Sequence, residues 1–125
     1  MKQKTAIVIL SDPRSGEEAL GRLFNGLATA HEFQRAGEPV TVLFQGAGTR
    51  WSGVLADSSH PAHGLFEDVR EVVAGVSYGC AEVFGATAAA DACGLPLVKG
   101  NAVPGTAGLP SLLGLVREGY RILTF

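Results

Sequence analysis

The stretch TAIVIL (residues 5–10) is apolar almost throughout and rich in β-branched side chains. A strand with one wet face alternates polar and apolar residues. A run without alternation suits a strand buried on both faces, as in a parallel sheet. Parallel neighbours need long return connections, usually helical, and the sequence supplies one at once. After a turn at Ser11–Gly16, residues Glu17–Ala36 set Leu20, Leu23, Phe24, Leu27 and Ala28 at the spacing of one buried helical face. Ser15 with Glu18 three residues on has the form of a capping box, Glu17 suits the helix N-terminus, and Gly37 stops the helix.

The same alternation of strand and helix continues outward from there. VTVLF (40–44) is a second strand-like run. A long connection follows, from Gln45 to Gly75, with a short helix expected near Leu65–Val73. Connections of that length often carry function. Val76–Gly79 reads as a third strand, Cys80–Cys93 as a long helix ended by Gly94, and Pro96–Lys99 as a fourth strand. GNAVPGTAGLP (100–110) is a loop. Pro110–Glu118 is a helix with Leu112, Leu113 and Val116 facing inward, and Tyr120–Phe125 is the closing strand. This order predicts one α/β domain over residues 1–125, with a five-stranded parallel sheet between helical layers on both faces. Among right-handed arrangements, a flavodoxin-like order with strand 1 beside strand 3 is expected.

Composition agrees with one buried core: 46% of the 125 residues are hydrophobic and 18% charged. The net charge is −2 and no run of Lys or Arg exceeds a pair, which argues against nucleic acid or an anionic membrane as partner. The opening MKQKTAIVIL is basic and then apolar, but the apolar run is too short for a signal-peptide core or a membrane span. A cytoplasmic protein is expected, with Cys80 and Cys93 as reduced thiols.

In parallel α/β sheets, ligands bind beyond the carboxyl ends of the strands, where the strand order reverses. With strand 1 beside strand 3, the Ser11–Gly16 loop and the Gly79–Cys80 junction share one crevice. Cys80 then lies in the first turn of a helix, where free N–H groups and the helix dipole favour an anion such as a thiolate. Arg14 adds charge if it turns inward. The competing reading is a small buried residue, because free cysteines are often buried. Cys93, near the far end of the same helix, reads as core. An intact helix sets the two sulfurs roughly 20 Å apart along its axis, too far to pair.

SDPRSG (11–16) offers Ser11, Asp12, Arg14 and Ser15 as an anion cradle, although a cap at Ser15 and turn chemistry at Asp12-Pro13 account for it equally. His60 and His63 bracket HPAH; no third ligand accompanies them, so the expectation is a loop or pocket-edge role and no metal. GAG (46–48) follows a strand, as phosphate loops do, but lacks their full spacing, and a tight turn explains it equally well. Trp51 is expected to pack under the long connection and Asp91 to be solvated. No cofactor is expected, since no loop looks built for a flavin ring.

Taken together, KTAIVILSD, QGAGTRW, AGVSYGCAEVFGA, GLPLVKG and LVREGYRILTF resemble the DsrE/DsrF-like family, which includes sulfur-relay subunits, over nearly the whole chain. The resemblance implies a five-stranded parallel fold and homo-oligomers. It also implies a cysteine at the start of the third helix, here Cys80, that accepts sulfane sulfur as a persulfide and passes it on to a partner. Some relatives carry Cys-x-x-Cys, where this chain has Ser77 in place of the first cysteine. The first functional reading is therefore a sulfur carrier of sulfurtransferase type, with Arg14, Ser11 and the amides near Gly79 steadying the sulfur anion. The alternative is a non-catalytic small-ligand-binding or assembly subunit. Its helix rich in small residues (Ala81, Gly85, Ala86, Ala88, Ala89, Ala90) lets another element approach.

Overall fold

A computed structural model describes residues 2–125. Five parallel strands form one sheet: β1 (Lys4–Ile9), β2 (Val40–Phe44), β3 (Val73–Ser77), β4 (Leu97–Val98) and β5 (Tyr120–Thr124). The α/β class and the all-parallel sheet are as the sequence predicts.

The order across the sheet is β4-β3-β2-β1-β5, so β1 pairs with β2 and β5, and strand 1 is not beside strand 3. The physical reason lies in pairing along the chain. Each of the first four strands adds beside its predecessor, and only β5 crosses back to close the other edge. Ile7 opposite Val42 and Leu123 shows the result, an apolar row across the middle of the sheet.

Six helices accompany the strands: α1 (Glu17–Arg35), α2 (Trp51–Leu55), α3 (His63–Val69), α4 (Tyr78–Val83), α5 (Thr87–Cys93) and α6 (Leu112–Arg117). One core cluster joins Ile7, Ile9, Val42, Phe44 and Val76 to Leu23 and Leu27 of α1, Trp51 and Leu55 of α2, and Phe66 and Val69 of α3. Alternate strand residues share a face, so this core lies on one side of the sheet. No residue of α6 belongs to it. A right-handed return from β4 to the far edge sends α6 to the opposite side, where it packs on β5.

Several boundaries differ from the expected ones. Helix α1 begins at Glu17 with Gly16 as its N-cap, at φ 83 and ψ −158, a conformation open to glycine. Ser15 lies in a preceding 3-10 turn and caps nothing, and Glu18 pairs instead with Arg22 one turn on. The buried stripe of α1 is Ala19, Leu23, Gly26, Leu27 and Ala30, while Phe24 is 43% exposed. Strand β3 starts at Val73, earlier than predicted. Ala74 is passed over in the pairing with β2, and Gly75 sits at that irregularity, with the Pro96 carbonyl where a side chain would project.

The expected single helix over Cys80–Cys93 is two helices. Gly85 adopts φ 69 between them, a left-handed residue that no continuous helix accommodates.

Candidate functional site

The carboxyl ends of the strands lead to Ser11, Gln45, Tyr78 and Lys99. The connections after β1, β2 and β3 pass to the main core, and the one after β4 passes towards α6. The reversal that favours a ligand crevice thus falls between β3 and β4, at Tyr78–Cys80 and Lys99.

Ser77 ends β3 and caps α4 with no loop between them, its Oγ accepting from the Cys80 amide at 3.4 Å. Cys80 is therefore the third residue of α4 rather than the first of a helix. It is a free thiol, neither buried nor fully exposed. The chain itself fills much of the crevice. The segment from Asn101 to Leu109 closes on itself through paired amide bonds of 2.6 and 2.9 Å, and Gly108 C=O accepts from the Gly79 amide at 2.7 Å. A Cβ on Gly79 would lie 2.9 Å from Leu109 Cδ1 and 3.1 Å from Gly108 O, so a larger residue would have to displace both. Two of the first three amides of α4 are thus already used within the protein. Lys99 places its ammonium 5.9 Å from the centre of the Tyr78 ring, at the first residue of α4.

The other predicted site residues are dispersed. Asp12 caps the 3-10 turn by accepting from the Arg14 amide at 2.9 Å, as its turn chemistry suggested. Arg14 is exposed and lines a cleft of ≈ 270 Å³ with Arg50 and Phe84. Ser11 and Ser15 line a different cleft, beside Arg22. Ser11 is 9% exposed, its Oγ has no hydrogen-bond partner, and its carbonyl accepts from Trp51 Nε1 at 2.8 Å. Trp51 is buried, as expected.

His60 and His63 turn out to hold the chain between α2 and α3. His60 Nδ1 accepts from the Ala62 amide at 3.1 Å, and its ring meets Trp51 edge to face. His63 Nδ1–H donates to Leu55 O at 2.7 Å. Among the described residues no group of three His, Cys, Asp or Glu side chains is placed to hold a metal. Nor does any helix of those residues have the length and apolarity to cross a membrane.

Cys93 packs against the core, and Arg70 donates to its carbonyl at 2.8 Å. The Glu67 carboxylate holds the Arg70 guanidinium above its ordinary range, and Arg70 in turn holds Glu67 below the usual carboxylate range. The segment 46–48 lies in a 3-10 turn, Gly46–Arg50. Ile9 O stands where a Gly48 side chain would go.

Three residues that the sequence reading passed over matter here. Arg50 donates to Asp12 Oδ2 at 2.9 Å and to Phe84 O at 3.2 Å, tying the loop after β1 to the end of α4. Gln45 is 8% exposed, and its Oε1 finds no donor in the protein. Lys99 is the third. The signal available for Gln45 and Lys99 was a polar side chain directly after an apolar strand run. None of the clefts lined by Ser11, Arg14 or Gln45 is lined by Cys80.

The chain matches no protein-family model, no curated protein and no solved structure.

Proposed function

We propose that the protein is a DsrE-like sulfur carrier whose Cys80 holds a persulfide. One observation carries the reading: a free, partly accessible thiol stands in the first turn of α4, beside the reversal of chain direction at the sheet's carboxyl edge. Lys99, with its ammonium over the ring of Tyr78 at the first residue of α4, is the candidate cation to steady a bound persulfide.

The chemistry balances without an external oxidant. The Cys80 thiolate attacks the outer sulfur of a donor persulfide. A new S–S bond forms, the donor's S–S bond breaks, and the donor leaves as a thiolate. An acceptor thiolate then attacks the outer sulfur on Cys80 and releases the Cys80 thiolate again. The proton from Cys80 passes to solvent in the first step and returns in the rest state. With Ser77 in the cap position, no second thiol stands three residues before Cys80 to resolve the persulfide internally. The sulfur must therefore leave to a partner.

The reading includes a reducing, cytoplasmic setting, consistent with two unpaired cysteines. It also includes homo-oligomers, for which exposed Leu113 and Val116 on α6 offer apolar surface. Light scattering on the purified chain measures the latter.

The alternative, a non-catalytic small-ligand-binding subunit, is favoured by the clefts at Ser11 and Gln45, which lie apart from Cys80. Incubation with a persulfide donor followed by intact-mass measurement separates the two. The proposal expects a sulfur-sized adduct on wild type and none on Cys80→Ser. The same adduct on the variant contradicts it.

A further inference from the structure

We propose that a second site, independent of Cys80, binds a neutral small molecule bearing a carboxamide. It is the cleft of ≈ 390 Å³ between the end of β2 and the start of α6. Its volume falls within the range of small-molecule pockets.

Gln45 is the residue that points to a ligand. Phe44 faces the main core, so Gln45 turns to the other side of the sheet and lines this cleft. Gln45 is 8% exposed as a residue, and its buried Oε1 has no partner in the protein. An unpaired buried carbonyl oxygen lowers stability, and an apolar side chain of the same size would avoid the cost. A donor arriving from the cleft removes it. A half-turn of the terminal amide exchanges oxygen and nitrogen, so Gln45 offers an acceptor and a donor side by side.

The rest of the wall narrows the chemistry. Ser111 Oγ already accepts from the Gly114 amide at 3.0 Å, which leaves its O–H free to donate. Asn101 adds a further amide at the rim. Leu109, Leu112 and Leu113 supply apolar surface. No charged side chain lines the cleft, so an ionised ligand would lose its hydration with nothing to replace it. An uncharged group with N–H and C=O adjacent, on a short apolar body, meets every one of these features.

The test uses the full chain, benzamide as probe and benzoate as its charged match in shape, followed by ¹H–¹⁵N NMR. Benzamide is expected to shift the Gln45 side-chain amide and the backbone amides of residues 109–113 along one saturating curve, with a Kd of about a millimolar. Benzoate binds at least about tenfold more weakly. Gln45→Met weakens benzamide at least about tenfold without lowering the unfolding midpoint. Leu113→Ala, at a half-exposed position, weakens it by a smaller factor and serves if Gln45→Met does not fold. Cys80→Ser binds benzamide as wild type does, so this result stands apart from sulfur carriage. No saturable shift, equal binding of benzoate, or full affinity in a folded Gln45→Met overturns the proposal. So does loss of binding in Cys80→Ser.

Discussion

At the scale of single residues, Arg50 ties two parts of the carboxyl edge together. Its guanidinium spans Asp12 and Phe84, with both side chains of the ion pair about three-quarters buried (22% and 24% exposed). Arg50→Met leaves Asp12 without its cation and the Phe84 carbonyl without its donor. A loss of about 2 kcal/mol in urea unfolding is expected; a loss near zero would show the tie to be incidental. Gly48→Ala tests close packing. Its Cβ would enter the space of the Ile9 carbonyl, and about 3 kcal/mol of destabilisation is expected by the same measurement. The Glu67–Arg70 pair is partly exposed, so its contribution is small, roughly 0.3–0.5 kcal/mol. Because Glu67 is held below its usual range, that stability is present above the unfolded-state value of about 4.3. It is lost as pH falls through the lower folded value. The difference between wild type and Glu67→Gln in unfolding free energy is therefore expected at neutral pH and should close on acidification. A difference that widened in acid would contradict the assignment.

At the scale of elements, the junction of β3 with α4 and α5 decides how Cys80 is presented. Ser77 serves as strand end and helix cap at once, so Ser77→Ala is expected to cost about 1 kcal/mol and to loosen the start of α4. Gly85 breaks the helix with open space around it, so Gly85→Ala carries only backbone strain, about 1–2 kcal/mol. Circular dichroism that showed a gain in helix instead would mean that α4 and α5 had merged. This junction also shows where sequence reading reaches and where it stops. A strand, a cysteine at a helix start and a stop at Gly94 were all legible, because apolar runs and glycines mark them locally. The break at Gly85 was not, since Ala81 and Ala86–Ala90 keep helical composition on both sides of it. The start of β3 was also hidden: Ala74 is passed over in the pairing with β2, and the Pro96 carbonyl takes the space where a Gly75 side chain would project.

At the scale of the molecule, class and strand count follow from the apolar runs, but strand order does not. It depends on which edge each new strand joins, a long-range choice with no local signature. With β1 between β2 and β5, the Ser11–Gly16 loop meets the end of α4, at Phe84, through Arg50 and the cleft that Arg14 lines, and Cys80 lines none of the clefts of that loop. Lys99, which follows β4, sets its ammonium against the ring of Tyr78, the first residue of α4. The same architecture distinguishes the two cysteines. Cys93 packs against the core, with Arg70 bound to its carbonyl, and Cys80 sits in the first turn of α4, at the carboxyl edge of the sheet. The most direct test of this account is a timed iodoacetamide reaction at neutral pH, read by peptide mass mapping of both sites. Cys80 should alkylate faster than Cys93 and faster than a free small-molecule thiol, and Lys99→Gln should slow it. Alkylation of Cys93 first, or of Cys80 no faster than the free thiol, would contradict the claim that Cys80 is the reactive group.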